Sequence, residues 1–371
     1  MMLLEPQISQ SEVELERHSS ADQIRANSSW AERGEFWNSQ TAKAAPKRRK
    51  RERNSSPLIL CGHGISLRVE RHTLVIRDGF THYPQDQATY RYFPGSREIP
   101  TRILLLDGSG TLSFDVLTWL GEQSVALARV KWTGDVAAVA SGSGFASDQA
   151  KVSWQHDTRA DEAKRIAFAA DLIRRKLIRA IETLGRHFAD TPLRGAAIAK
   201  LSSTADRLLN DRLRELNDIR VLEGECAARY FDAWRELEIN WTGVGRKPIP
   251  GDWRQFTTRS SLANGIKAQN RAASHPVNAM LNYAYAVRLA QLQLQAIADG
   301  YDPTIGIMHH ARRGKPSFAL DLIEPERPQV DSTILNLIQS HPLHAADFVL
   351  RPDGVCRLSP QLARAVATAV A

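Results

Sequence analysis

The stretch ADEAKRIAFAADLIRRKLIRAIETL, residues 160–184, sets the character of the larger part of the chain. Its apolar side chains recur at spacings of three and four, and they belong to Ile166, Ala169, Ile173, Leu177, Ile181 and Leu184. This spacing places them along one face of a helix, with arginine and lysine on the other side. The stretch therefore predicts a long amphipathic helix that packs its apolar stripe into a core.

Helical patterns continue towards the C-terminus. A second runs from about 199 to 237, and a third is HPVNAMLNYAYAVRLAQLQLQAIADG at 275–300, where Pro276 suits the first turn and Gly300 the C-terminal cap. The Gly- and Pro-rich segment 239–260 interrupts them. We therefore predict a large all-α domain over residues 151–371.

The preceding sequence, residues 57–150, has short β-rich runs separated by glycines. SLRVERHTLVI at 66–76 alternates apolar with polar residues on both sides of its centre, which predicts a hairpin. The glycines that we read as turn positions are Gly62, Gly64, Gly79, Gly108, Gly110 and Gly134. FDVLTWLGEQ at 114–123 has a short helical pattern. The predicted fold class is α+β: a small β-rich N-terminal domain, a hinge at about 140–151, and the larger all-α domain.

Residues 1–56 differ from both regions because they are polar and end in the basic block KRRKRER at 47–53. A block of like charges cannot bury an apolar face, so we predict a disordered arm. The arm is either a solvated tail or an electrostatic contact to nucleic acid.

Composition narrows the functional classes. The 371 residues are 43% hydrophobic and carry a formal net charge of +8, which favours a polyanionic partner.

No apolar run approaches the roughly 20 residues of a membrane span, and the first residues lack the pattern of an export signal. Cys61, Cys226 and Cys356 lie far apart, so they indicate neither a disulfide framework nor a zinc cluster. We expect a cytoplasmic protein with reduced thiols.

Two histidines precede a pair of acids in the segment 305–328. His309 and His310 are adjacent, and Asp321 lies three residues before Glu324. If residues 317–324 are helical, the two acids share a face; alternatively, a helix begins near Pro325 with Glu324 at its cap. In both cases the carboxylates lie close together, and their repulsion raises a pKa unless a cation lies between them.

Glu223 is the third acid of interest because apolar residues surround it at helical spacings, namely Leu216, Ile219, Cys226, Ala227 and Tyr230. An unpaired charge on such a face costs several kcal/mol or more, so Glu223 needs a partner, either an arginine or a metal ion. Two carboxylates with one imidazole suit Mg²⁺ or Mn²⁺ better than structural zinc. On a basic protein, such an ion points to phosphate chemistry.

These residues lie in stretches that resemble the CRISPR-associated protein one family, the integrase that inserts spacers into CRISPR arrays. The matching stretches are EGECAARYF at 223–231, HPVNAMLNYAYAV at 275–287, YDPTIGIMHH at 301–310 and PSFALDLIEPERPQVD at 316–331. A looser similarity covers the β-rich region, so the resemblance spans roughly 57–371. The arm before residue 57 departs from the family pattern.

The resemblance implies a DNA endonuclease and integrase that uses Mg²⁺ or Mn²⁺ held by Glu223, His309 and Glu324. Asp321 would orient the site or serve as a further ligand. The resemblance also implies a homodimer built through the β-rich domains, double-stranded DNA as substrate, and CRISPR-associated protein two as partner. The loop residues Arg312, Arg313 and Lys315 are either solvated or contact the DNA backbone.

Two other functions remain open. One is a transposon-type or repair-related metal-dependent DNase outside a CRISPR system. The other is a basic DNA-binding scaffold without catalysis, whose acids only form salt bridges.

Overall fold

The structure is a computed structural model of the chain. It describes residues 29–43, 53–54, 56–81, 86–131, 136–140, 148–210, 215–259, 273–310 and 315–370.

Helices dominate the described residues. The helices are α1 (29–43), α2 (Phe114–Glu122), α3 (Gln149–Ala160), α4 (Glu162–His187), α5 (Pro192–Asn210), α6 (Leu216–Ala233), α7 (Pro276–Ala298), α8 (Ser317–Ile323), α9 (Arg327–Ser340) and α10 (Pro360–Val370). The strands are β1 (Leu58–Glu70), β2 (Thr73–Arg77), β3 (Thr89–Tyr92), β4 (Arg102–Leu112), β5 (Ala126–Val130), β6 (Val136–Ala140), β7 (Trp241–Thr242), β8 (Leu343–His344), β9 (Phe348–Leu350) and β10 (Cys356–Leu358). Within the described ranges, none of the helices has the length and apolar composition that a membrane crossing requires.

The first six strands form one sheet in the order β3-β2-β1-β4-β5-β6. β1, β4 and β5 run parallel, and the other neighbours are antiparallel. The predicted hairpin is confirmed: β1 and β2 pair up to Glu70 and Thr73. Arg71 and His72 make the two-residue turn with φ of 49° and 64°, the left-handed region that such a turn requires.

Four of the glycines predicted as turns lie inside strands instead, two of them, Gly62 and Gly64, in β1 and two in β4. Gly108 and Gly110 belong to β4, where the pairing with β1 shifts register. A Cβ atom on Gly108 would come within 2.1 Å of the Gly62 carbonyl oxygen. Glycine is therefore needed here because two backbones approach closely at a bulge, and not because the chain turns.

The two faces of the sheet are buried against different partners. On one face, Leu60 and Ile103 pack with Val116 and Trp119 of α2. The neighbouring side chains point the opposite way, as the two-residue period of a strand dictates, and join the main helical core; they are Ile59, Cys61, Leu104 and Leu106. The α+β class is thus confirmed, and the β-rich and helical regions share one core.

The C-terminal region differs from the predicted all-α domain, since it contains four short strands. β7 pairs with β8 in parallel, and β9 pairs with β10 antiparallel. The last helix, α10, returns to the large sheet, where Arg364 forms an ion pair with the buried carboxylate of Asp78. The boundary of the two domains near residue 150 stays a prediction.

The prediction of a disordered N-terminal arm is wrong for residues 29–43, which form α1. Trp37 is 1% exposed, and its indole Nε1 donates to Oδ1 of Asp347 at 2.9 Å. The guanidinium of Arg33 binds the same carboxylate at 2.8 and 2.9 Å. Aromatic side chains give this polar segment the apolar contact that docks it. The basic residues 47–52 lie outside the described ranges.

Candidate metal centre and DNA-processing site

Glu223 and Glu324, which the sequence suggests as partners, meet at one ammonium group. Nζ of Lys176 in α4 lies 2.5 Å from Oε1 of Glu223 in α6 and 2.7 Å from Oε2 of Glu324. The apolar stripes of α4 and α6 create this meeting, because Leu177, Ile219 and other stripe residues pack in the main core and fix the separation of the two helices.

The partner of Glu223 is therefore a lysine, where the sequence suggested an arginine or a metal ion. The side chain of Glu223 is 31% exposed and leans out of the apolar helix face, whose residues Ile219, Cys226 and Tyr230 are buried. The carboxylate thus meets Lys176 at the edge of the core.

Glu324 is the more deeply buried acid, with 8% of its side chain exposed. It follows the last residue of α8 and opens a short 3₁₀ turn that contains Pro325 and leads into α9. Both of its oxygens face cations: Oε2 faces Lys176, and Oε1 accepts from Nε of Arg327 at 3.1 Å. Burial acts to raise its pKa, but Arg327 and Lys176 outweigh burial and lower the pKa to about 2.

Asp321 orients His309. The Asp321 side chain is fully buried, and its Oδ2 accepts the backbone N–H groups of Ile307 at 2.5 Å and Met308 at 3.1 Å. Its Oδ1 accepts the backbone N–H of His309 at 2.9 Å and lies 2.7 Å from Nδ1 of the same residue. Against an ionised carboxylate Nδ1 is the protonated nitrogen, so Nε2 is the nitrogen that can bind a metal ion.

Gly306 allows this loop to close. A Cβ atom there would come within 2.7 Å of the His309 carbonyl oxygen and of Cβ of Ser317. A larger residue would therefore push the histidine away from Asp321. This close approach explains why a glycine occupies position 306, three residues before His309.

Three arginines that sequence reasoning missed hold the carbonyl groups of the same loop. Nη1 of Arg159 donates to Gly306 O at 2.9 Å, and Nε of Arg165 donates to Ile307 O at 2.7 Å. Nη2 of Arg220 donates to Met308 O at 3.1 Å. In the sequence, these arginines look like ordinary members of polar helix faces, so nothing distinguishes them before the helices are placed.

A cavity of about 520 Å³ opens beside the two glutamates and extends towards a second polar cluster. The buried carboxylate of Asp331 accepts from the hydroxyl of Tyr230 at 3.0 Å and from the hydroxyl of Tyr285. The guanidinium of Arg327 lies 4.9 Å from the centre of the Tyr285 ring, which connects this cluster to Glu324. Burial raises the pKa of Asp331 to about 6.

The asparagines of α7 have a structural role next to this cluster. Oδ1 of Asn282 accepts from Arg259 at 2.7 Å, and Oδ1 of Asn278 accepts from the same guanidinium at 3.3 Å. Asn278 also donates to the carbonyl group of Thr258 at 2.9 Å. These contacts are the helix-to-loop hydrogen bonds expected of polar side chains on a buried helix face.

The residues predicted to bind a metal ion have the right donor chemistry. Two carboxylates and an imidazole nitrogen suit Mg²⁺ or Mn²⁺, and Glu324 already pairs with two cationic side chains, those of Lys176 and Arg327. Within the described ranges, however, no three side chains of the ligand-forming types are arranged around one point. The place between the carboxylates is held by Lys176.

The predicted DNA-binding loop is described only in part. Arg312 and Arg313 lie outside the described residues. Lys315 precedes α8 and is half-buried, and its carbonyl oxygen accepts the N–H of Ser317 at 2.9 Å. A DNA contact by this loop stays a prediction.

Comparison with known proteins identifies the family. The sequence model of CRISPR associated protein Cas1 matches residues 58–371. A Cas4/Cas1 exonuclease–endonuclease fusion from Rhodospirillum rubrum is 31% identical over 217 residues, which are 58% of this chain and 34% of the relative. The endonuclease Cas1 1 of Moorella thermoacetica is 28% identical over 228 residues, 58% of this chain and 59% of the relative. The chain thus spans from about a third to somewhat over half of these relatives.

Solved structures share the fold at low sequence identity. A casposase bound to an integration product superposes with a TM-score of 0.67 at 22% identity, covering 85% of this chain and 81% of that chain. A Cas1 protein from Thermotoga maritima gives 0.60 at 13% identity, covering 82% and 86%. A Cas6-RT-Cas1–Cas2 complex gives 0.61 at 17% identity, covering 86% of this chain and 32% of that chain. With a family model that matches most of its length, the chain belongs to the Cas1 family.

Proposed function

We propose that the protein is a metal-dependent DNA endonuclease and integrase that inserts new spacer DNA into a CRISPR array. The observation that supports this most strongly is the convergence of Glu223 and Glu324 on one cation position, next to a histidine that Asp321 orients. An electrostatic interaction with His309 also contributes to the lowered pKa of Glu324, so the histidine lies near enough to influence this acid.

In this proposal, Glu223, His309 and Glu324 hold Mg²⁺ or Mn²⁺, which supplies Lewis-acid polarisation of a phosphodiester oxygen. Glu324 is fit for this role because the lowered pKa keeps it ionised at neutral pH. Asp321 and the backbone of residues 307–309 keep the imidazole in one orientation. An imidazole fixed in this way needs little reorientation when DNA binds.

The proposed reaction is a transesterification. The 3′-hydroxyl oxygen of the captured fragment forms a bond to phosphorus at the repeat border, and the bond from that phosphorus to the 3′ oxygen of the repeat strand breaks. One phosphodiester replaces another, and the proton of the attacking hydroxyl leaves with the released strand end or to water. The reaction therefore needs no oxidant and no nucleotide cofactor.

We propose double-stranded DNA, a Cas2 protein and a second copy of the chain as partners. The net charge of +8 favours DNA, and a solved complex that shares this fold contains both Cas1 and Cas2. Contacts to backbone phosphates would provide much of the affinity, so DNA binding should weaken as the salt concentration rises.

The test is a half-site integration assay with Mn²⁺ on the wild type and on Glu223→Ala, His309→Ala and Glu324→Ala. We expect each variant to lose at least about a hundredfold of the rate, since removing a ligand removes the stabilised transition-state charge. Glu225→Ala is the matched control, because Glu225 lies two residues along α6 and pairs with Lys200 at 2.6 Å on the surface. If the ligand variants react like this control, the proposed site is wrong.

The shared fold of a casposase makes a transposon-type integrase the second candidate. Targets with and without a CRISPR repeat separate the two functions. Integration confined to the repeat border supports the first function, whereas equal integration into DNA without a repeat supports the second.

A further inference from the structure

Lys176 occupies the place where a shared metal ion would be expected. Its side chain is 15% exposed, and its ammonium nitrogen lies 2.5 Å from one glutamate oxygen and 2.7 Å from another. These oxygens come from residues 47 and 148 positions away, on different helical elements. The lysine is thus a built-in cation that holds α4, α6 and the end of α8 together.

The ammonium group and a bridging divalent ion exclude each other. Mg²⁺ lies about 2.0–2.1 Å from its oxygen ligands, so an ion shared by these two oxygens would lie almost where Nζ of Lys176 now lies. The second oxygen of Glu324 gives no free alternative, because Arg327 donates to it at 3.1 Å. Two cations in one position repel strongly in a partly buried site.

We propose that Lys176 is a resident counter-ion of the metal site, which leaves when the divalent ion binds and then contacts a DNA phosphate. This inference rests on the proposed function. A lysine suits the role because its charge sits at the end of a long stem and can move without shifting the helix. Once displaced, the ammonium still lies close to the proposed metal site, where a DNA phosphate must bind for the reaction, and needs an anion.

The consequence is that the binding of DNA and the binding of the divalent metal ion are coupled. DNA phosphates that attract Lys176 make the two glutamates available to the metal ion, and the metal ion makes Lys176 available to DNA. Each ligand should therefore raise the affinity for the other by the same factor. In the protein without DNA, the lysine competes with the ion and weakens its binding.

The experiment measures Mn²⁺ binding by electron paramagnetic resonance on the full chain, with and without a duplex whose 3′ end is a dideoxynucleotide. For the wild type, we expect DNA to raise Mn²⁺ affinity by about tenfold or more, within the usual range of coupling between sites. Lys176→Met should bind Mn²⁺ about tenfold more tightly without DNA and should gain less than about threefold when DNA is added.

Lys200→Met is the matched control, since it removes a lysine–glutamate pair of 2.6 Å that lies on the surface between α5 and α6. It should keep the wild-type coupling. Lys176→Arg keeps a cation between the glutamates and should keep both the weak Mn²⁺ binding and the gain on adding DNA. Lys176→Gln removes the charge but keeps a polar side chain, and should behave like Lys176→Met; it provides the test if Lys176→Met does not fold.

The inference is overturned if Lys176→Met binds Mn²⁺ no more tightly than the wild type, or if DNA raises its affinity as much as that of the wild type. Failure of the proposed function looks different: the wild type would then bind no Mn²⁺ under either condition. Tight Mn²⁺ binding that is lost in His309→Ala, together with unchanged binding in Lys176→Met, would leave the function standing and remove only the role of Lys176.

Discussion

At the scale of single residues, Asp321 holds the geometry of the site without facing a substrate. One buried carboxylate accepts three backbone N–H groups and a ring nitrogen from residues 307–309. A loop that would otherwise leave these donors unsatisfied is thereby held in one shape. The sequence left two roles open for Asp321, and its contacts match the orienting role.

Asp321→Asn tests how far the hydrogen bonds of the Asp321 carboxylate hold His309 and its loop in place. An amide offers one oxygen, so its NH₂ group would face N–H donors and leave one to two hydrogen bonds unmade. We expect the free energy of unfolding to fall by about 1–3 kcal/mol. We also expect Mn²⁺ affinity to fall by roughly ten- to a hundredfold, the usual effect of removing the partner of a metal-binding histidine.

Denaturant unfolding and Mn²⁺ titration on the same preparation test this prediction. Asp299→Asn is the control, because Asp299 is an exposed residue at the end of α7. Unchanged Mn²⁺ affinity in Asp321→Asn would show that His309 is oriented by other groups.

Lys176 shows why part of the site could not be predicted from the sequence. Glu223 and Glu324 stand out because an acid on an apolar face or before a proline is unusual. Lys176 lies in RRK, among other basic residues of an amphipathic helix, where a solvated charge is the ordinary expectation. Its role depends on the distance between α4 and α6, which a helical pattern does not contain.

At the scale of elements, Asp331 joins three helices. It lies in α9 and accepts from Tyr230 of α6 and Tyr285 of α7. The network is buried beneath the cavity that reaches Glu324, so the packing of these helices sets the floor of the proposed site. Burial favours the protonated acid and raises the pKa of Asp331 from 3.8 to about 6.

This raised pKa predicts a pH dependence of stability. Between pH 3.8 and about 6, the folded protein keeps a proton that the unfolded chain has lost, so folding becomes less favourable as pH rises through this interval. The cost is about 1.4 kcal/mol per pH unit, or roughly 3 kcal/mol in all at neutral pH. Asp331→Asn cannot ionise at this position, so its free energy of unfolding should not show this fall.

Guanidinium unfolding of both proteins at pH 4.0 and 6.5 tests the sign. The stability of the wild type relative to Asp331→Asn should fall as the pH rises. Glu324, with its lowered pKa, changes stability in the opposite direction. It does so equally in both proteins, so the difference in stability between the wild type and Asp331→Asn is unaffected. A difference that stays constant or grows with pH would contradict the raised pKa.

The helical patterns predicted α4 and α7 well because each carries a continuous apolar face. The region around Pro325 was harder to predict. The two alternatives were a helix ending at Glu324 and one beginning near Pro325, and the structure combines them: α8 ends at Ile323, a 3₁₀ turn follows, and α9 begins at Arg327. The backbone preferences of the residues around Pro325 allow a helix boundary on either side of it. The ion pairs of Glu324 are compatible with the 3₁₀ turn that the structure adopts.

At the scale of the whole molecule, sheet and helices are less separate than the sequence suggests. The β-rich composition predicted the sheet, but one face of that sheet belongs to the same core as α4, α6 and α7. The alternating pattern of a strand shows that both faces are apolar without showing what covers each. One face is covered by the neighbouring helix α2, whereas the partners on the other face include residues more than a hundred positions away, such as α10 against β1.

The N-terminal helix extends this core from outside the region that the family model matches. Trp37 belongs to the main core, and Arg33 and Trp37 together bind Asp347. Asp347 also accepts the backbone N–H of His344 at 2.8 Å, so α1 is linked to the turn between β8 and β9. Because α1 is held to the core through Arg33 and Trp37, we expect it to be able to detach as a unit.

Trp37→Ala should therefore undock α1 without unfolding the protein. Removing a buried tryptophan costs about 3–5 kcal/mol, which exceeds what one short helix gains from its own hydrogen bonds. Hydrogen exchange should show lost protection in residues 29–43 and faster exchange at His344 to Phe348, while α7 stays protected. Ser39→Ala, at an exposed position of α1, should leave all three regions unchanged. Equal loss of protection in α7 would instead make α1 a part of the cooperative core.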